Sequence, residues 1–68
     1  MELTRMIGRR VEIPVHYDLW MRGARFGVIS SGGQREGRAF IRVKMDHPQV
    51  KRRVTIPRED WEFVRVNL

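Results

Sequence analysis

A chain of 68 residues holds one domain with a small core, and the lack of cysteine excludes disulfides and thiolate metal sites. No run is long or apolar enough to cross a membrane, and the N-terminus carries no signal-like apolar run, so a soluble cytoplasmic protein is expected. Formal charge is +6, and only Lys44 and Lys51 among the 14 basic residues are lysine. Arginine forks bind phosphate or carboxylate bidentately and stack on flat rings. The arginine bias therefore reflects either anion recognition or the base composition of the source genome.

In chain order, Leu3, Met6 and Ile7 have the spacing of one helical face and Gly8 is a stop, which predicts a short helical turn. The period then becomes two. Val11, Ile13 and Val15 predict a first strand over 9–15, in which Pro14 marks an end, a bulge or an edge. His16 to Gly23 read as a loop carrying two aromatics, Tyr17 and Trp20. A second strand is predicted over 24–30, with Gly27 at a bend or close backbone approach, and SGGQREG follows as a flexible turn. RAFIRVKM (38–45) and VKRRVTI (50–56) predict the third and fourth strands. Pro57 opens a single helical or 3-10 turn at PRED, and a fifth strand covers 62–66. The predicted core comprises Val11, Ile13, Val28, Ile41, Val43, Val54, Ile56 and Val64.

Residues 46–49, Asp-His-Pro-Gln, read as a four-residue turn of a hairpin. That register sets Met45 against Val50, Ile41 against Val54 and Ala39 against Ile56 on an apolar face. On the other face it sets Lys44 against Lys51 and Arg42 against Arg53, and like charges directly across a sheet are destabilising. Arg52 would then face inward opposite Val43, unless a bulge intervenes, it reaches the rim, or it meets the acidic cluster Glu59, Asp60 and Glu62.

Arg42, Lys44, Lys51 and Arg53 project from one side of this hairpin, with Phe40 in line and Arg38 and Arg35 extending the charge. A basic surface beside an exposed aromatic is the footprint of a nucleic-acid or other polyanion binder. A bound polyanion would also relieve the cross-strand repulsion. The alternatives are long side chains splayed into water and a subunit interface. Trp61 is expected in core packing. Tyr17 and Trp20 form either a lid at one end of the fold or an aromatic platform for an extended peptide.

Catalysis finds no pattern to rest on. His16 and His47 are far apart with no second ligand at metal spacing, and no nucleophile, phosphate-loop or zinc motif occurs. No metal, cofactor or enzymatic activity is expected.

Five short strands, a long first loop and a helical turn before the last strand predict an all-β chain, a small five-stranded SH3-like barrel. The series Trp20-Met-Arg-Gly23, Gly27-Val28, Val54-Thr-Ile-Pro57 and Asp60-Trp-Glu-Phe-Val64 is similar in layout to several such families. It resembles the barrels that carry a Gly-x-Val turn and bind ribosomal or transcription-linked nucleic acid. It also resembles the plasmid-type dihydrofolate reductases, which carry a Val-Gln-Ile-Tyr run where this chain has Val54-Thr55-Ile56-Pro57. Sm-like ring proteins share the helix-then-strands layout. With the basic face, the missing catalytic motifs and the small core, the expectation is a homo-oligomeric, non-enzymatic binding module, or alternatively an interaction or assembly subunit of phage or mobile-element origin. A reductase is the third reading.

Overall fold

The computed structural model describes residues 3–66. Period-two patterning prevails in them. Five antiparallel strands form, β1 (Arg10–Glu12), β2 (Phe26–Arg35), β3 (Arg38–Met45), β4 (Val54–Pro57) and β5 (Arg65–Val66). The helical pieces are short: 3-10 turns at Leu3–Met6 and Arg58–Phe63, and one α-helical turn, α1 (Asp18–Met21). The strand order is β4-β3-β2-β1-β5, with β4 and β5 at opposite edges. The all-β expectation holds, whereas the closed barrel does not: the sheet is open.

β3 spans the predicted residues and alternates strictly. Ala39, Ile41, Val43 and Met45 are buried, while Arg38, Phe40, Arg42 and Lys44 lie on the other face. Its pairing with β4 differs from the predicted hairpin by two residues. Ile41 faces Ile56, Val43 faces Val54, and Arg42 faces Thr55. A shift of two preserves which face each side chain occupies, because the side-chain period is two. It removes both predicted like-charge pairs. β4 begins only at Val54, so 50–53 are not strand and Asp46 to Arg53 form a long connection. Arg52 is exposed in that connection, and Val54 takes the place opposite Val43 that the predicted register gave it.

β2 is longer than predicted because SGGQR pairs with the start of β3. The turn is only Glu36-Gly37, both at positive φ (52° and 77°), as a two-residue hairpin of matching twist requires. A bulge at Ser30 shifts the register between Ile29 and Ser31. Before it, Gly27 and Ile29 point inward and Val28 outward, so Ile29 is the buried residue and Val28 is half-buried. Val54 and Val64, also predicted in the core, are half-buried and pack against it.

The first 3-10 turn buries Leu3, and Gly8 at φ 94° ends it as expected. β1 stops before Pro14, which is itself buried. The predicted loop around Trp20 contains α1, whose Leu19 and Trp20 pack on the core and which Gly23, at φ 96°, terminates. The last 3-10 turn runs through Phe63, which shortens the fifth strand to Arg65–Val66.

Gly27 permits the close approach anticipated for it. A Cβ there would lie 2.5 Å from the Lys44 carbonyl oxygen and 2.6 Å from a Val43 methyl. Neither atom belongs to a flexible side-chain end, so β2 and β3 must separate to admit even a methyl group. Gly27→Ala is expected to destabilise the fold by about 1–3 kcal/mol, read as a lower urea midpoint. An unchanged midpoint would show that the strands yield freely at this point.

Candidate nucleic-acid interface

The outer face of β3 gains its shape from the glycine-rich part of β2. Gly33 stands opposite Phe40, and a Cβ at Gly33 would lie 3.0 Å from the tip of the Phe40 ring. The ring therefore rests over bare backbone, where a side chain would push it away. The Arg42 guanidinium carbon sits 5.1 Å from the Phe40 ring centroid, within cation–π range. Gly32, one position away on the inner face, admits Thr4 of the first 3-10 turn in the same manner.

The Ser30 bulge organises the next part of the face. Its hydroxyl donates to the Arg42 carbonyl at 3.2 Å and accepts from Arg53 Nε at 3.1 Å. Arg53, from the connection before β4, thus reaches the bulge on β2. Arg42, Arg53 and Phe40 are brought together by these contacts. Lys44 continues the row along β3, beside Val28. Arg35 and Arg38 pair directly across the hairpin at its far end, flanking Glu36 in the turn. Lys51 lies apart from this row, in the long connection with Arg52.

Electrostatically the face is one-sided. Among the described residues, no carboxylate lies within ion-pair distance of Arg35, Arg38, Arg42 or Lys44, nor of Lys51, Arg52 or Arg53. Three carboxylates are engaged elsewhere. Asp46 pairs with Arg10 at 2.9 Å, Asp18 with Arg22 at 3.7 Å, and Glu12 accepts from Trp20 Nε1 at 3.3 Å.

Tyr17 and Trp20 are not joined by a ring contact among the described residues. The Arg25 guanidinium carbon lies 4.0 Å from the Trp20 ring centroid, and Arg25 Nε donates to the Trp20 carbonyl. One face of that ring is therefore already occupied. Both aromatics are partly buried against the core. Trp61 also packs there, with Nε1 donating to the Ile56 carbonyl at 3.0 Å.

Sequence spacing gave no sign of a polar cluster around Asp60. Tyr17 donates its hydroxyl to Asp60 Oδ2 at 2.6 Å, and His16 Nε2 lies 3.9 Å from Asp60 Oδ1. The His16 ring meets Tyr17 and Phe63 edge-on, at 5.0 and 5.2 Å. These contacts join the first loop to the last 3-10 turn. Partial burial first, and then the Asp60 carboxylate, push the Tyr17 hydroxyl well above its ordinary pKa. No group of three metal-ligating side chains occurs among the described residues. Among the described residues no helix is long and apolar enough to span a membrane.

Searches of protein-family models, curated proteins and solved structures found no match to this chain. Gly27 and Val28 are adjacent, one residue short of the Gly-x-Val spacing.

The raised Tyr17 pKa sets a direction for alkaline stability. Above pH ~10 the unfolded chain releases this proton while the folded chain retains it, so stability falls as pH rises past that point. Tyr17→Phe is expected to cost about 1–2 kcal/mol at neutral pH, because Asp60 loses a donor while half-buried. The same variant should flatten the decline above pH ~10. Equal slopes for both proteins in urea titrations at pH ~9 to 11 would place the alkaline sensitivity elsewhere.

Proposed function

We propose that this protein is a non-enzymatic binding module that holds nucleic acid on the outer face of β2, β3 and β4. The observation that carries the reading is the row Arg38, Phe40, Arg42 and Lys44, joined by Arg53 and lacking any carboxylate partner. Phosphates supply the missing anions. Phe40, half-buried on this face with the Arg42 guanidinium carbon 5.1 Å from its ring centroid, is the side chain we assign to stack a base, since aromatic rings stack on nucleobases. The open five-stranded sheet serves as the scaffold, and we place it with the small SH3-like barrels as an opened version of that architecture.

Self-association fits the same picture. Met21 is 78% exposed, and Ile7, Val15 and Phe63 are also well exposed for apolar side chains. A second copy would cover some of this surface, so a dimer or larger assembly is expected in sedimentation at tens of micromolar. A strict monomer at that concentration would remove the oligomer from the account. The location we propose is the cytoplasm, where nucleic acid is at hand.

Three to four phosphate contacts give a slope of log K against log salt of about −2 to −4. Arg42→Glu with Lys44→Glu should flatten that slope and leave the fold intact, because both side chains are exposed. Phe40→Ala should weaken single strands by about 1–3 kcal/mol and leave duplex binding nearly unchanged. Absence of binding to either strand form at ~150 mM salt would contradict the reading.

A further inference from the structure

The connection from Asp46 to Arg53 and the segment from Leu19 to Ala24 line a common cleft of about 570 Å³. That volume falls in the ~300–1,000 Å³ range of small-ligand sites. Its apolar floor is Leu19, Ala24, Val50 and Val54, and Ala24 belongs to the buried core. Its charged lining is Arg22, Lys51, Arg52 and Arg53, with no carboxylate in the lining.

The polar groups are set for an anion. The Gln49 backbone N–H donates to His47 Nδ1 at 3.2 Å, so a neutral His47 ring carries its proton on Nε2 as a donor. Arg22 is held only by Asp18 at 3.7 Å with both side chains largely exposed, a pair too weak to keep it from a better acceptor. Arg53 lines the cleft while its Nε rests on Ser30 at the sheet face. One arginine therefore belongs to both surfaces, and the two form one cationic track.

We propose that this cleft receives one unstacked nucleotide of a single strand whose neighbouring phosphates lie on the sheet. This rests on the nucleic-acid reading and adds a preference for single strands. The ligand must combine an apolar body for the floor with an anionic group for the rim. A nucleotide does so, and guanidinium forks match its phosphate bidentately. Bases in a duplex are stacked and paired and cannot enter. An acidic peptide would satisfy the rim and leave the apolar floor uncovered.

The test uses the full chain, a single-stranded 10-mer and the corresponding duplex, followed by fluorescence anisotropy. Two variants are compared with the wild type: Val50→Trp, which fills the cleft at constant charge, and Arg52→Gln, an exposed loop change that leaves the core untouched. Val50→Trp is expected to weaken the single strand by about tenfold and the duplex by less than about twofold. Arg52→Gln is expected to weaken the single strand more than Arg38→Gln, which removes the same charge from the hairpin end. A nucleoside 5′-monophosphate should shift the His47, Val50 and Arg52 amide resonances, and inorganic phosphate or an uncharged nucleoside should shift them far less. Single-strand binding unchanged in both cleft variants would overturn the cleft proposal and leave the sheet reading standing. Cleft shifts with an oligoglutamate peptide and none with the monophosphate would overturn it in favour of an acidic protein partner. Absence of binding to any strand would overturn both readings together.

Discussion

Ala39, Ile41, Val43 and Met45 point to one side of β3 while Arg38, Phe40, Arg42 and Lys44 point to the other, and most of the molecule is arranged around that division. The buried set meets Ile29 across β2 and Ile56 across β4, so both neighbouring strands must present an apolar residue at a matching position. On β4 this condition selects Ile56 opposite Ile41. On β2 it is met by Ile29 before the bulge, and the bulge then reverses the parity, so that Gly32 and Gln34 pair with the buried set and Ser31 and Gly33 with the outer one. The charged set is carried outward by the same parity. The core and the cationic face are thus two consequences of one alternating strand.

This explains which parts of the fold could be read from the sequence. β3 was legible to the residue because its alternation is strict and unbroken. The inward side chains of β4 were also legible, although the register was not. A slip of two leaves every face unchanged, and pattern alone does not distinguish the two alignments. The far half of β2 was illegible for a different reason. Ser31 to Arg35 have turn-like composition, and they form a strand by pairing with Arg38 to Arg42 of β3, with Phe40 beside Gly33 and Thr4 beside Gly32. Tertiary contact overrides local preference there.

The site was legible in composition and less so in arrangement. Arg42, Lys44 and Phe40 share a face as the period requires, but nothing in the sequence places Arg53 on the Ser30 hydroxyl. The cleft beside α1 is lined by the long connection, which pattern alone reads as a four-residue turn and a strand. The Asp60 cluster likewise depends on a meeting of two distant segments. Net charge alone would not define a binding face. Asp18, Asp46, Asp60 and Glu12 are engaged away from the β3 row, and Glu36 stands in the turn at its end.

We propose that nucleic acid binds on the outer face of β3, whose cations lack a carboxylate partner, rather than through the molecule's overall positive charge. Amide shift mapping of the full chain during titration with an unlabelled oligonucleotide at ~150 mM salt tests it most directly. The account predicts that the largest shifts fall on residues 38–44, on the Ser30 bulge and on 51–53, with Tyr17, Asp60 and Phe63 little changed. Shifts spread evenly over all exposed arginines, or concentrated around Arg58 and Arg65, would contradict it.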